Sequence, residues 1–367
     1  MQENLARGLS VVSRAVSSRS TLPVLSNVLL RTEDAGLKLT ATNLEIGITS
    51  WVPGKIDEEG AVTVPARLLT DVVAGLPPGE RVELTVEAGN SLHVKAGRYQ
   101  THLRGIDAEE FPVIPSAGDR PTTRLEQRAL RRALGEVAFA AATDEARPIL
   151  TGVLTKITGD RLTLAAADNY RIAVKSLPVL SPTEEITFVV PARSYQELMR
   201  ILSDSEEPVN VMLAQAKSQV IFSVEGTELV SRLIDGQFPN YQQVLPTSHA
   251  SRAIVEREDL LKAVRLSALI ASTAANVVKL KVGEDGSGAI TIAANSDSGD
   301  ASGEVEAQLE GDGVTIAFNA RYLTEALQNL SSDQLALEFS GPLSPGVLKP
   351  TDYPDYVHVI MPVRTPS

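Results

Sequence analysis

The chain of 367 residues contains no cysteine. This absence excludes disulfide frameworks, iron–sulfur clusters, cysteine-based zinc sites and cysteine nucleophiles. Aromatic residues are few, with seven Phe, seven Tyr and one Trp, so we expect a mainly aliphatic core. No apolar run approaches the roughly 18 residues that cross a membrane, and the N-terminus lacks the apolar core and cleavage site of a signal peptide. We therefore expect a cytoplasmic protein with no membrane partner.

Basic residues are fewer than acidic ones: the chain has 34 Lys and Arg and 46 Asp and Glu, which gives a net charge of −12. This balance excludes a uniformly basic nucleic-acid coat. It leaves a locally basic surface possible, because binding follows the local field rather than the total charge. With 43% hydrophobic and 22% charged residues, the composition is typical of a globular protein, and the length favours two or three domains.

Motifs of catalytic and cofactor sites are also missing. The sequence has no Walker loop, no G-x-S-x-G and no G-x-G-x-x-G. The four histidines are at least nine residues apart, so we interpret them as surface or core residues rather than metal ligands. The run Asn295–Gly303 has the composition of a calcium loop without its residue order, and we interpret it as a plain loop. The sequence thus predicts a binding protein without catalysis, cofactor or metal.

Three sequence patterns recur in the same order with a spacing of 125–128 residues. The first is a strand end (Leu39–Asn43, Leu164–Asp168, Ile292–Ser296), the second a strand leading into a helix (Val62–Arg67, Phe188–Arg193, Ile316–Arg321), and the third a Phe-Pro pair (Phe111-Pro112, Phe238-Pro239). A period of this length has the size of a domain and is too long for a solenoid repeat. Three homologous domains are therefore predicted.

Two segments rich in Pro, Ser or Gly, 115–121 and 245–251, read as linkers between the domains. They predict domain boundaries at 1–119, 120–248 and 249–367. The second and third domains open with a strand before their first helix, whereas the first opens almost directly with a helix. We expect that the start of the first domain is placed about five residues too late, because a missing strand would leave an exposed sheet edge.

Each repeat shows the same coarse order of a strand, a helix, several strands, a second helix and further strands. The helix predicted at 127–139 has Leu130, Leu134 and Val137 at helical spacing, and a similar amphipathic helix is predicted at 2–18. Strands alternate apolar and polar residues, which is typical of antiparallel sheets with one buried face. The predicted fold class is α+β, with sheets outside and two helices per domain packed on one face.

Arginines mark the start of the second helix in every repeat, at Arg67, Arg193 and Arg321. Further cations lie on the predicted helices: Arg7, Arg14, Arg128, Arg131, Arg132, Arg200, Lys262 and Arg265. Acidic residues gather mostly in predicted loops and strand ends. One interpretation is a repeated surface or capping role; the other is a basic helical face that contacts phosphates and reads no base sequence.

Seven motifs occur in order along the chain: Arg19–Asn27, Ala41–Glu45, Val64–Arg67, Arg147–Gly152, Ala167–Arg171, Leu233–Tyr241 and Val359–Arg364. With the threefold repeat, they make the chain resemble the bacterial DNA polymerase III β subunit family, the sliding clamps, over essentially its whole length. Two rival interpretations remain, an enzyme of repeated domains and a surface or structural repeat protein. The arginine-bearing helices and the missing signal peptide argue against the structural protein.

The resemblance implies the DNA clamp fold, in which two chains join head to tail and six domains close a ring with helices lining the hole. It implies a processivity factor that encircles double-stranded DNA, slides without sequence preference and holds the replicative DNA polymerase at the template. This mechanism raises the effective concentration of the polymerase without tight DNA contacts. The implied partners are the homodimer mate, the polymerase, the clamp loader and other replication or repair proteins that carry a short hydrophobic peptide.

The resemblance also implies site residues. DNA would be contacted by Arg19, Arg67, Pro148 and Ile149. The dimer seam would join Thr101 and Leu103 to Leu269 and Ile270. The partner-peptide pocket would comprise Leu150, Ala167, Asn169, Tyr170, Arg171, Ile172, Pro239, Gln243, Val244, Leu343, Pro345, Val359, Met361, Pro362 and Arg364. Asn169-Tyr170 replaces a Gly-His pair common in the family, Ala167 a Thr and Gln243 an Arg, which implies a changed pocket shape and peptide preference.

Overall fold

The computed structural model describes residues 1–17, 22–33, 36–118, 121–214, 218–283 and 288–364. The chain forms two compact units. The N-terminal unit comprises Met1–Arg128, Val179–Ser181 and Arg193–Leu233, and the C-terminal unit comprises Ala129–Pro178, Pro182–Ala192 and Ile234–Ser367. Strands and helices of the middle repeat are thus shared between the two units.

The described residues form six α-helices, two in each repeat as predicted. In chain order they are α1 (Gln2–Val12), α2 (Ala66–Gly75), α3 (Gln127–Val137), α4 (Ala192–Ile201), α5 (Arg257–Ala271) and α6 (Ala320–Asn329).

The strands follow the predicted order within each repeat. In the first repeat they are β1 (Asn27–Glu33), β2 (Gly36–Thr42), β3 (Ile46–Pro53), β4 (Ala61–Pro65), β5 (Val82–Glu87), β6 (Ser91–Ala96) and β7 (Tyr99–Arg104). In the second they are β8 (Thr123–Leu125), β9 (Gly152–Ala167), β10 (Arg171–Pro191), β11 (Val209–Leu213), β12 (Gln219–Val224) and β13 (Thr227–Arg232). In the third they are β14 (Ser251–Glu256), β15 (Val277–Val282), β16 (Ala289–Ser296), β17 (Gly299–Gly311), β18 (Val314–Asn319), β19 (Gln334–Phe339), β20 (Gly346–Pro350) and β21 (Tyr356–Ile360).

The N-terminal unit contains an eight-stranded sheet in the order β4-β1-β2-β3-β13-β12-β11-β8 and a three-stranded sheet β5-β6-β7. Strand β3 of the first repeat pairs with β13 of the second, with Ser50 opposite Thr227 and Ile46 opposite Ser231. The two repeats therefore share one continuous sheet.

The C-terminal unit contains a ten-stranded sheet in the order β18-β15-β16-β17-β14-β19-β20-β21-β10-β9. Here β10 of the second repeat pairs with β21 of the third, with Arg171 opposite Ile360. The strand pairs of both units are antiparallel, as the alternating pattern predicts.

The second helix of each repeat begins at the alanine of the recurring motif, at Ala66, Ala192 and Ala320. The residue before it ends a strand. In the third repeat this residue is Asn319, whose side chain accepts a hydrogen bond from the backbone nitrogen of Arg321 at 3.0 Å. Such an N-cap satisfies one of the free amide groups at a helix start, and it stands where the other two repeats have proline.

Apolar residues at helical spacing are buried as predicted. On α1, Leu5, Leu9 and Val12 are buried, and on α3, Leu130 and Leu134 are fully buried. Helix α1 packs on β3 and β2. The largely aliphatic composition of these cores agrees with the low aromatic content.

Three boundaries differ from the sequence prediction. Helix α1 ends at Val12 and α3 at Val137, and each continues as one 3₁₀ turn (13–15 and 138–140). The loop interpretation of Asn295–Gly303 is wrong, because β16 runs to Ser296 and β17 begins at Gly299. Gly299 has φ +141°, a backbone conformation that glycine adopts far more readily than other residues. A tight turn therefore stands where a loop was expected. The polar residues of this segment lie largely at exposed strand positions.

Strands β8 and β14 precede α3 and α5, as predicted for the second and third repeats, whereas α1 begins at Gln2. Among the residues that the structure describes, no helix combines the length and apolar character that a bilayer crossing requires.

Candidate peptide-binding and DNA-binding surfaces

The predicted pocket residues of the C-terminal unit include a buried apolar group. Ile172 of β10 lies opposite Ala167 of β9 on one side and Val359 of β21 on the other. These three residues form one apolar cluster with Leu150 and Phe238, and each is less than 10% exposed. Strand pairing therefore builds the floor of the candidate pocket from residues that are far apart in the sequence.

Four predicted pocket residues have exposed apolar side chains. Tyr170, Val244, Leu343 and Met361 are 40–67% exposed. The backbone nitrogen of Met361 donates to the carbonyl of Tyr170 at 2.8 Å. Val244 follows a 3₁₀ turn whose first residue, Tyr241, packs against the floor. The other predicted pocket residues are exposed or half-buried: Asn169, Pro239, Gln243, Pro345, Pro362 and Arg364.

Arg171 lies beneath the surface instead of presenting a charge on it. Its Nε donates to Asp168 Oδ2 at 3.1 Å, and its two terminal nitrogens donate to Glu325 Oε2 at 2.6 Å and to the carbonyl oxygen of Phe139 at 3.0 Å. The guanidinium also lies 4.6 Å from the ring centroid of Tyr322. A guanidinium with every nitrogen engaged positions its neighbours rather than binding a ligand.

The turn between β9 and β10 is shaped by Asp168. Its Oδ1 accepts from the backbone nitrogens of Tyr170 at 2.7 Å and Arg171 at 3.0 Å, which is the hydrogen bonding of an Asx turn. Asn169 and Tyr170 are thereby held exposed. The Tyr170 ring stacks on Tyr322 with centroids 6.0 Å apart. The Asn169-Tyr170 pair therefore has contacts of its own within this unit.

Glu325 of α6 connects Arg171 to the recurring helix arginine. Its Oε1 accepts from Arg321 Nε at 2.7 Å, while its Oε2 accepts from Arg171. Burial works against ionisation of this carboxyl, but the hydrogen bonds from Arg321 and Arg171 outweigh it and lower the pKa of Glu325. The charge of Arg321, which the sequence suggests for phosphate contact, is thus partly neutralised by a carboxylate.

Two further polar residues, His358 and Glu136, are buried in the C-terminal unit. His358 of β21 is fully buried and stacks on Phe139 with centroids 5.5 Å apart. Burial, with the positive charge of Arg171 adding to it, lowers the pKa of His358 to about 3, so the ring is neutral. Glu136 of α3 accepts from Tyr353 Oη at 2.8 Å and forms an ion pair with Lys175, whose Nζ is 3.1 Å from Oε2.

The helical cations named from the sequence are all exposed. On the six helices, Lys and Arg outnumber Asp and Glu by eleven to seven, although the chain as a whole carries −12. Several of these cations are paired with carboxylates on the same helix, as in Arg67 with Asp71 at 3.9 Å. The helices therefore carry a net positive charge within an acidic chain. The carboxylates paired with several of these cations make the helical surface less basic than the cations alone suggest.

The other predicted DNA-contact residues have varied surroundings. Arg19 lies outside the described residues. The Arg67 side chain is 96% exposed. Pro148 and Ile149 belong to a 3₁₀ turn, where Pro148 is exposed and Ile149 half-buried.

The predicted seam residues also differ in their exposure. Leu269 on α5 is 68% exposed and Ile270 is half-buried. Thr101 on β7 is half-buried, whereas Leu103 is buried within its own unit. Leu266, which the sequence analysis did not select, is 61% exposed one turn before Leu269. Its helical spacing from Leu269 is the signal that could have identified it.

Three family models match successive parts of the chain. The N-terminal, central and C-terminal domains of the DNA polymerase III beta subunit match residues 1–115, 124–240 and 242–364. The chain belongs to the DNA polymerase III β-subunit family, the sliding clamps. The three domains and the fold class predicted from the repeats are confirmed, while the boundaries at 119 and 248 stay predictions.

Curated relatives and solved structures agree with this membership. The beta sliding clamp of Synechococcus elongatus is 35% identical over 372 residues, which cover 100% of this chain and 98% of the relative. The crystal structure of the DNA polymerase sliding clamp from Bacillus subtilis has a TM-score of 0.92 and 29% identity, covering 100% of this chain and 98% of that one. A Pseudomonas aeruginosa sliding clamp bound to griselimycin has a TM-score of 0.92 and 31% identity, covering 99% and 98%.

Sequence reasoning missed the polar residues that support the sliding clamp's candidate pocket. Glu325 and Tyr322 belong to no recognised motif, and their partners are distant in the chain, as with Glu325 and Arg171, which are 154 positions apart. The i, i+4 spacing of Arg321 and Glu325 indicates a helical ion pair. Nothing in the sequence indicates the bond to Arg171.

Proposed function

We propose that two copies of this chain join head to tail into a closed ring that encircles double-stranded DNA. The ring slides without sequence preference and tethers the replicative DNA polymerase, so the protein is a non-catalytic processivity factor that acts in the cytoplasm without a cofactor. Membership in the sliding-clamp family supports this proposal. So does the absence of catalytic motifs from the sequence.

Two open strand edges carry the ring proposal. Among the described residues, β7 pairs with β6 alone, so its other edge is open. Residues 299–306 of β17 pair with β16, whereas β14 pairs only with residues 307–311, which leaves the second edge of 299–306 open. Open edges are aggregation hazards unless they are covered. One edge lies in the first repeat and the other in the third, so pairing them between chains gives a heterologous contact that can close.

The two edges have opposite charge. Arg98 immediately precedes β7 and Arg104 is its last residue, and both are exposed. On β17, Asp300, Glu304 and Glu306 are exposed. Complementary charge favours pairing of unlike edges and disfavours pairing of like edges, which supports a head-to-tail arrangement.

Apolar side chains complete the proposed seam. Helix α5 packs on β16 and β17 and presents Leu266, Leu269 and Ile270 near its end. Exposed leucines in such a group commonly mark an interface. We place them against the β7 segment that carries Thr101 and Leu103 in the partner chain.

The proposed DNA contacts come from the helices. Arg67, together with the other exposed helical cations and with Arg19, would neutralise phosphates, and Pro148 and Ile149 would approach the backbone. Such contacts carry no sequence information. They also predict weak binding by the free protein that falls steeply with salt.

The proposed partner pocket takes a short peptide with hydrophobic anchors, carried by the polymerase, the clamp loader and other replication or repair proteins. Its buried apolar floor and exposed rim of Tyr170, Val244, Leu343 and Met361 support this assignment. A methionine on the rim can adapt its shape to different peptides.

Sedimentation equilibrium tests the proposed ring. At micromolar concentration the chain should have twice its 39.2 kDa mass. Leu269→Asp should shift it to monomer, because a charge buried at an apolar seam is costly unless it is paired. Leu180→Asp is the matched control, since Leu180 is 59% exposed on β10, outside the seam, and should stay dimeric. A monomeric parent protein, or a Leu269→Asp variant that stays dimeric, would contradict the seam.

A further inference from the structure

Two of the four histidines are brought together by the hairpin of β6 and β7. His93 lies directly opposite His102 in the strand register, and their rings stack with centroids 4.4 Å apart and 4° between the planes. Their spacing of nine positions argues against a metal site when the sequence is read alone, but the hairpin places the two residues side by side. Their interpretation as isolated surface or core residues is therefore incomplete.

Glu87 of β5 completes the group on the same face of the three-stranded sheet. Its Oε1 lies 3.8 Å from His93 Nδ1, and its Oε2 lies 3.6 Å from His102 Nε2. One ligand atom from each of the three residues lies within 4.8 Å of the others. Leu92, Val94 and Leu103 alternate with them and are buried, so the sheet is anchored beneath the group.

We propose that Glu87, His93 and His102 bind one Zn²⁺ ion. Two imidazoles and one carboxylate are an established zinc ligand set, with a fourth tetrahedral position left for water. Two ligand atoms at zinc–ligand distances of about 2.0–2.2 Å lie roughly 3.3 Å from each other in a tetrahedral site. The side chains of Glu87 and His102 are 44% and 53% exposed, so both have room to rotate towards this spacing.

The second ring nitrogen of His93, Nε2, bears on the expected zinc affinity. When Nδ1 binds a metal, the proton of the ring is carried by Nε2. This atom is buried, and no described residue accepts a hydrogen bond from it. Outer-shell partners typically contribute about 10- to 100-fold in metal affinity. The missing partner of His93 Nε2 therefore predicts zinc binding about 10- to 100-fold weaker than at a site whose histidines are all supported in this way.

Equilibrium dialysis of the full chain against zinc chloride at pH 7.5, with bound zinc measured by mass spectrometry, tests the site. One zinc per chain should bind. Glu87→Gln and His102→Ala should each weaken binding at least about tenfold, and because both side chains are exposed, circular dichroism should show an intact fold. His249→Ala is the matched control, since His249 lies 3.7 Å from Glu338 without a second imidazole; it should bind zinc like the parent protein.

Two results would overturn the proposal. The first is a parent protein that binds no zinc at roughly 100 μM free metal. The second is zinc binding that is unchanged in both Glu87→Gln and His102→Ala, which would assign the bound zinc to other surface carboxylates.

Discussion

At the residue scale, Arg171 holds the turn that carries the rim of the candidate pocket. Arg171→Ala removes the side-chain partner of Asp168 and one partner of Glu325. Loss of one member of a buried ion pair costs about 3–5 kcal/mol, and we expect urea unfolding to show a loss of this size together with loss of binding of a polymerase-derived clamp peptide. Arg147→Ala removes one exposed bond to Asn169 and should change stability by less than about 0.5 kcal/mol. Equal effects of the two changes would refute the positioning role.

Met361 tests the pocket itself. Met361 is a rim residue that is 40% exposed, and a bound peptide would cover its side chain. Met361→Ala should weaken peptide binding about tenfold, because losing the burial of this side chain costs about 1–2 kcal/mol. Fluorescence anisotropy with the labelled peptide measures the change. Leu180→Ala, another exposed apolar residue, serves as the control. Unchanged affinity in Met361→Ala would place the pocket elsewhere.

His358 gives a pH dependence with a defined sign. Its pKa is about 3 in the folded chain and near 6.5 when unfolded. Between these values the unfolded chain binds a proton that the folded chain does not, so its contribution to stability is complete above pH 6.5 and falls as the pH drops towards 3. Lowering the pH from 7.5 to 5.5 should cost about 1.4 kcal/mol through this residue.

Urea unfolding at the two pH values, for the parent and for His358→Leu, isolates this contribution. The variant should show a smaller loss of stability between pH 7.5 and 5.5 than the parent. In the parent, NMR signals of the His358 ring should not shift over this range. A ring that titrates near pH 6.5 in the folded protein would disprove the account.

The sequence predicts residues of the site unevenly. Pocket residues such as Ala167 and Val359 lie within recurring motifs, and alternation alone predicts that they are buried. The bond between Glu325 and Arg171 could not be predicted, because these residues are 154 positions apart. Such contacts depend on how elements of different repeats meet, which local periodicity does not specify.

At the element scale, helices and strands were largely predictable because each repeat presents the same local pattern. The recurring motif predicts where α2, α4 and α6 begin, and the structure confirms all three positions. The helix ends of α1 and α3 were predicted too late, since amphipathic spacing continues into the following 3₁₀ turns. The pairing of β3 with β13 was not predictable, because it joins strands about 180 residues apart and depends on register rather than composition.

The helices should dominate the salt dependence of DNA binding. Arg193 is the second residue of α4, is exposed, and has no ion pair among the described residues. Arg193→Ala should lower the slope of log affinity against log salt by about one. Arg31, exposed on strand β1, is the control and should leave the slope unchanged. A larger effect of Arg31→Ala would place the DNA contacts on the sheets.

At the scale of the whole molecule, the threefold repeat was readable from sequence alone, because three independent markers keep one period. Ring closure cannot be derived from the repeat pattern, because it depends on contact between copies of the chain. What the structure adds is a physical basis for that contact in two oppositely charged open strand edges, on β7 and on residues 299–306 of β17. The excess of cations on the helices likewise shows how a chain of net charge −12 can meet a polyanion.

Topological linkage to DNA is the central claim, and its most direct test is release by linearisation. The protein is loaded onto nicked circular plasmid with a clamp loader and washed in high salt to remove contacts that depend on charge. The plasmid is then cut at one site. The account predicts that the protein stays on the circle through the wash and is lost once the DNA has ends. Equal retention on circular and linear DNA, or release by salt alone, would contradict encirclement.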